Sequence, residues 1–159
     1  PLDVQAVHLF TQANRLAFAD RGKYVVDSDF VDVPVAGMLN KTYLQSRAAL
    51  INETGSDMGV AEPGVPPGVA SQESGADTRA KTSGTSHVSI VDRCGNSLSM
   101  TTAVESPFGN GVMVKGFLLN NQLTDFSFAA NDADGNPIAN RVQPNKRPRS
   151  SMSPSIVFN

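Results

Sequence analysis

The sequence predicts an α+β fold, and three observations carry that expectation. Apolar residues recur at helical spacing in the first third of the chain, a Gly/Pro-rich tract interrupts them, and a period of two takes over beyond it. Helices first and an antiparallel sheet afterwards argue for helices layered on the sheet. Asp3 is placed to cap a helix over about residues 4–20, with Val7, Phe10 and Ala17 as its apolar stripe and Leu9, Ala13 and Leu16 widening it. Gly22 offers its stop. After a polar-aromatic connector, Asn40 precedes a second helix over Lys41 to Ile51, in which Leu44, Ala48 and Ile51 share a face and Asn52 to Gly55 closes the element.

Residues 55–84 hold Gly59, Gly64, Gly68, Gly75, Pro63, Pro66 and Pro67 without one aromatic side chain, the composition of a linker or mobile loop. Such length without structure is uncommon inside a compact domain unless it serves a function. Beyond it, Val88 and Ile90 alternate with Ser89 and Val91, Arg93-Cys94-Gly95-Asn96 makes a turn, and Leu98, Met100 and Thr102 resume the alternation. That pattern predicts a hairpin. Phe117-Leu118-Leu119 and Ser155 to Phe158 are expected as further short strands, with Asn131 to Asn140 as an exposed loop between them. There is no internal repeat.

Composition narrows the function classes. The chain has 159 residues, 40% of them hydrophobic and 18% charged, which suits one ordinary globular domain. A formal net charge of −2 provides no basic field for nucleic acid, and no apolar run has the length of a bilayer span. One cysteine, Cys94, excludes an internal disulfide framework, and His8 and His87 are too few for a Cys/His zinc site. No metal or cofactor is expected. Because the chain starts at Pro1 without Met and stops directly after an expected strand, it is expected to be an excised piece, and composition leaves its compartment open.

Gly84-Thr85-Ser86-His87 lies at the seam between the loose tract and the first strand, a place suited to a self-cleaving threonine. Cleavage of the Gly84–Thr85 bond would give Thr85 a free α-amino group with a reference pKa of about 7.7–8. That amine would be a neutral base, in useful fraction near pH 7, beside the hydroxyl it must deprotonate. The alternative on these residues alone is a Ser/Thr pair decorating a strand start.

An ordered series of segments decides between them. Ala19-Asp20-Arg21, Asp29-Phe30, Val33-Pro34, Thr85-Ser86-His87, Val91-Asp92, Gly95-Asn96 and Phe108-Gly109 are followed by Leu118-Leu119-Asn120-Asn121-Gln122, Asp125-Phe126-Ser127, Pro144-Asn145-Lys146-Arg147-Pro148 and Ser150-Ser151-Met152-Ser153-Pro154. From about Leu9 to Phe158 the chain resembles the middle of a γ-glutamyltransferase, in the superfamily of N-terminal nucleophile hydrolases. The resemblance implies an αββα sandwich shared by two subunits made by self-cleavage before Thr85. Residues 1–54 would then be the helical end of the large subunit, 55–84 a flexible linker ending at the processing site, and 85–159 the β-rich start of the small subunit.

The same resemblance makes Thr85 the nucleophile that takes a γ-glutamyl group from glutathione or a related amide, forming an acyl-enzyme discharged by water or an amine. It assigns Gln122 and Asp125 to the substrate α-amino group, and Ser150 and Ser151 to its α-carboxylate. It implies as partners a small γ-glutamyl substrate and the remainder of the two subunits, and a periplasmic or extracellular location. Three departures stand out. Glu105 replaces an asparagine that commonly contacts substrate, Ala103 replaces a threonine that hydrogen-bonds the nucleophile, with Thr101 and Thr102 adjacent, and the stretch from Asp125 to Pro144 lacks an aromatic-bearing lid. The family's oxyanion glycines fall after Asn159 and its carboxylate-binding arginine before Pro1, and loss of oxyanion donors costs on the order of 10²–10³ in turnover. The piece alone is therefore expected to be nearly inert. Two rival functions follow: a glutaryl or cephalosporin-type acylase, from Glu105 and the missing lid, and an inactive truncated interaction domain, from Ala103 and the absent oxyanion segment. His87 is read as structural, Cys94 as a bystander, Lys146, Arg147 and Arg149 as a solvated or site-supporting cluster, and Gly109, Gly111 and Gly116 as turn residues.

Overall fold

A computed structural model describes residues 3–53, 58–69, 75 and 85–158. It combines helices with antiparallel strands, as expected, in two compact units. One comprises Pro1–Thr78 with Ser127–Arg147, the other Arg79–Phe126 with Pro148–Asn159. No helix among the described residues is long and apolar enough to cross a membrane.

In the first unit, α1 spans Val4–Tyr24, capped by the Asp3 side chain accepting from Gln5 N at 3.3 Å, with Arg21 and Lys23 in its last turn to complement the helix dipole. It runs through Gly22, the expected stop. An internal glycine costs a helix about 1 kcal/mol, and here the added turn buries Tyr24 and lets its hydroxyl donate to Gly64 O at 2.6 Å. The buried face also differs from the expected stripe. Gln12, Leu16, Asp20 and Tyr24 face inward, whereas Val7 and Phe10 are 43% and 70% exposed. A four-residue helix, α2 (Val35–Met38), precedes α3 (Lys41–Ala48), whose Asn40 cap accepts from Tyr43 N at 3.1 Å. α3 ends before Ile51 and buries Tyr43, leaving Leu44 and Ala48 exposed.

Polar bonds explain the inward face. Asp20 accepts from Tyr43 Oη at 2.8 Å and from Gly64 N at 2.7 Å, and pairs with Arg47 at 3.1 Å. Arg47 also donates to Glu62 O at 2.8 Å. Residues 58–69 thus form no helix or strand, yet Glu62 and Gly64 are bonded to α1 and α3, and Pro66 is fully buried. Burial, and then the bond to Asp20, push the Tyr43 phenol well above its ordinary value.

Residues 127–147 of this unit hold no regular element. The segment expected as an exposed loop is buried at its far end, where Ile138, Ala139 and Asn140 turn inward and Ser127 N donates to Asn140 O at 2.9 Å. Its exposed part is a self-contained turn. Asp132 Oδ1 accepts from Asp134 N at 3.0 Å and Asn136 N at 2.8 Å, and Asp132 N donates to Asn136 O at 2.9 Å.

The second unit contains β1 (Thr85–Val91) and β2 (Ser97–Ala103), the predicted hairpin, in register from Thr85 opposite Ala103 to Val91 opposite Ser97. The turn between them repeats the one at Asp132. Asp92 Oδ1 accepts from Cys94 N at 2.8 Å and Asn96 N at 2.9 Å, Asp92 N donates to Asn96 O at 2.9 Å, and Gly95 and Gly135 share φ near 84° and 86°. Hydrogen bonds from the Asn96 side chain and amide hold the Asp92 carboxyl below its usual range.

A second hairpin pairs β3 (Met113–Val114) with β4 (Phe117–Leu118) around Lys115-Gly116, both at positive φ, the geometry of a two-residue turn. Gly109 has φ +54°, and a Cβ there would lie 2.0 Å from Leu119 O, so glycine is required where Asn110 N bonds that carbonyl at 3.0 Å. Ser155 to Phe158, expected as a strand, forms no ladder; its contact with the hairpin is Ser99 Oγ donating to Ser155 O at 3.2 Å.

Candidate active site

Every described residue singled out from the sequence for the site falls in the second unit. Gly84 lies outside the described residues. Thr85 is exposed and opens β1, so its side chain stands at the end of a ladder with its Cα opposite that of Ala103. Strand alternation puts Thr85, His87 and Ser89 on one face with Ser99, Thr101 and Ala103 across from them. Thr101 therefore shares the face of Thr85, two residues along, and Thr102 lies on the opposite face beside Ser86.

His87 is held by hydroxyls. Its Nδ1 is 2.8 Å from Thr101 Oγ1, and its Nε2 is 3.0 Å from Ser89 Oγ and 3.3 Å from Ser99 Oγ. Both ring nitrogens are engaged within the hairpin, which suits the structural reading of His87.

Just past β2, Glu105 adopts φ +75°, a left-handed conformation that costs a residue with a side chain on the order of 1–3 kcal/mol. Bonds to Asn121 and Ser106 hold it there. Glu105 Oε2 accepts from Asn121 Nδ2 at 2.5 Å and from Ser106 Oγ at 2.8 Å. Asn121 Oδ1 accepts from Ser106 N at 3.0 Å, and Asn121 N donates to Val104 O at 3.2 Å. One asparagine thereby fastens the end of β2 to the 3-10 helix Gln122–Asp125 that follows it. In the sequence, Asn121 stands out only within the motif Leu118-Leu119-Asn120-Asn121-Gln122. Its signal was the Asn120-Asn121 pair ahead of Gln122, ambiguous because asparagines also mark turns.

The 3-10 helix carries Gln122 and Asp125, both half-buried. Gln122 Oε1 is a buried acceptor with no hydrogen-bond partner, a costly state that a donor from a bound molecule would relieve. Gln122 Oε1 and the carboxylates of Glu105 and Asp125 are all acceptors, the first and last on the 3-10 helix and Glu105 bonded to the Asn121 ahead of it. That chemistry suits an ammonium group. Ser150 and Ser151 are exposed on the irregular stretch after Pro148. Among the described residues there is no cluster of three or more His, Cys, Asp or Glu side chains set to hold a metal ion.

Comparison with known proteins agrees with the sequence resemblance. The family model described as gamma-glutamyltranspeptidase matches residues 1–159. The chain is 39% identical over 156 residues to the glutathione hydrolase proenzyme of Bacillus subtilis (strain 168), covering 94% of this chain and 26% of that protein. It is 34% identical over 156 residues to the acylase ACY 1 proenzyme of Pseudomonas sp. (strain SE83), covering 96% of this chain and 24% of that protein. A gamma-glutamyltranspeptidase from Pseudomonas nitroreducens, solved in complex with L-DON, is similar at 48% identity over 46% of this chain and 41% of its own, with a TM-score of 0.37. The chain spans about a quarter of the length of these curated relatives. With the family model matched from its first residue to its last, the chain belongs to the gamma-glutamyltranspeptidase family, a family of enzymes.

Proposed function

We propose that this chain is the stretch of a γ-glutamyltransferase-type precursor that spans the processing junction, and that the parent protein transfers or hydrolyses the γ-glutamyl group of glutathione-like amides. The observation that carries the proposal is Thr85: exposed, first in its strand, and at the start of the segment that leads through β2 to the acceptors Glu105, Gln122 and Asp125. In this reading, cleavage of the Gly84–Thr85 bond frees the Thr85 amine, which takes the proton from Thr85 Oγ as the oxygen attacks the γ-carbonyl. The protonated leaving amine departs, and water or an acceptor amine then breaks the ester. Gln122 Oε1 and Asp125 receive the substrate ammonium, and Ser150 and Ser151 its carboxylate, by carry-over from the family.

Residues 1–54 then end the large subunit, 55–84 lead to the junction, and 85–159 begin the small subunit of an αββα sandwich completed by the rest of the protein. The family resemblance supports a periplasmic or extracellular site of action. The test uses the complete protein with and without Thr85→Ala. Denaturing mass spectrometry is expected to find a chain beginning at Thr85 in the wild type alone, together with hydrolysis of a γ-glutamyl anilide. A wild type that stays whole removes the proposed base. Glu105 supports a second reading, an acylase acting on glutaryl side chains, which a higher rate on glutaryl anilide than on γ-glutamyl anilide would establish.

A further inference from the structure

Within the first unit, residues from before the junction are joined to residues from after it. The Asp27 side chain is 1% exposed, and both its oxygens are committed. Oδ2 accepts from Arg147 N at 2.8 Å and Arg147 Nε at 3.1 Å; Oδ1 accepts from Arg147 Nη2 at 2.5 Å and from Asp29 N at 3.2 Å. A single arginine thus gives main-chain and side-chain donors to one buried carboxylate, 120 residues away in sequence. Arg147 Nη2 also reaches Asp29 Oδ2 at 2.8 Å, but Asp29 is 73% exposed and such a pair contributes little. Two further contacts cross the junction: Lys146 Nζ lies 5.9 Å from the Phe30 ring centroid, and Gly75 N donates to Pro137 O at 3.2 Å.

We propose that the Asp27–Arg147 pair is the tether that keeps the two chains made by cleavage before Thr85 in one assembly. The inference rests on the processing reading above. In an uncut chain these bonds close a long loop, and the covalent connection holds the partners at high effective concentration if they part. Once the backbone is cut, the same bonds lie between separate polypeptides, and their loss becomes a loss of affinity. A buried carboxylate left without its guanidinium is the costly half of such a break, so removing the Arg147 side chain should weaken the assembly at least as much as neutralising Asp27.

The experiment uses the complete protein with an affinity tag on the large chain, in wild-type, Asp27→Asn, Arg147→Gln and doubly substituted forms. Denaturing mass spectrometry first establishes whether a chain starting at Thr85 exists; retention of that chain on the immobilised large chain is then followed against dilution and urea. Asp27→Asn is expected to be cleaved like the wild type and to release its small chain at a concentration roughly tenfold higher or more. The double variant should release no more than the worse single variant, because both remove one interaction. Arg147→Gln, at a side chain 66% exposed, serves as the reading if Asp27→Asn fails to fold. Cleaved variants that hold their small chain as tightly as the wild type, or losses that add independently, overturn the tether and leave the processing reading intact. A wild type with no Thr85 terminus overturns the processing reading, and the tether falls with it.

Discussion

Under the proposed function, replacing Asn121 with alanine should loosen Glu105 and weaken substrate binding while sparing the chemistry assigned to Thr85. The left-handed backbone at Glu105 costs on the order of 1–3 kcal/mol and persists only if its surroundings compensate. Asn121 supplies a hydrogen bond to the Glu105 carboxylate, worth about 1.5–3 kcal/mol in general, and a neutral bond accepting from Ser106 N, worth about 1 kcal/mol. Glu105 is half-buried, so water recovers part of this, and a net loss of about 1.5 kcal/mol is a reasonable expectation. That is close to the strain itself, so Glu105 should relax in a large fraction of molecules. If Glu105 and Gln122 contact the substrate ammonium, KM for a γ-glutamyl anilide should rise about tenfold with kcat nearly unchanged. Steady-state kinetics of the complete protein, with the amount of processed chain measured in parallel, provides the assay. Unchanged KM in Asn121→Ala, or an equal further loss when Asn121→Ala is added to Glu105→Ala, would refute the reasoning.

Two further outcomes follow from the hairpin register and the buried acid. Ala103→Thr places a hydroxyl on the residue paired with Thr85, and processing or anilide turnover should rise several-fold, whereas equal rates would show that the position does not serve the nucleophile. The Arg147 side chain, followed by the Arg147 main-chain amide, holds the Asp27 carboxyl far below the usual range. Its contribution is therefore fully present above the unfolded carboxylate value of about 3.9 and is lost as pH falls from there through the folded value. Urea midpoints measured across that acid range should converge for the wild type and Arg147→Gln, and a difference independent of pH would refute the linkage.

Local chemistry made some elements legible and left others hidden. The hairpin from Thr85 to Ala103 was readable because alternation and an Asp-to-Asn turn specify strand, register and reversal within nineteen consecutive residues. The caps at Asp3 and Asn40 were readable for the same reason: each bond joins residues two or three apart. The buried face of α1 was not, because Asp20 turns inward to meet Gly64, Tyr43 and Arg47, partners that hydrophobic spacing cannot reveal. Ser155 to Phe158 failed as a strand because apolar composition gives propensity but no ladder partner. At the site, Thr85 and Gln122 came from motif resemblance, while Asn121 became visible only through its bonds to Glu105 and Ser106.

The matching turns at Asp92–Asn96 and Asp132–Asn136 behave as interchangeable parts. Each closes through aspartate oxygens, main-chain groups and an Asn amide, so the identities of the two middle residues are incidental to it. Exchanging Arg93-Cys94 for the Ala133-Asp134 pair should leave the hairpin intact while removing the chain's single thiol. In that thiol-free background, a Thr85→Cys substitution would introduce this segment's lone thiol, and its alkylation rate against pH would report the environment of the proposed nucleophile position free of interference from a second cysteine.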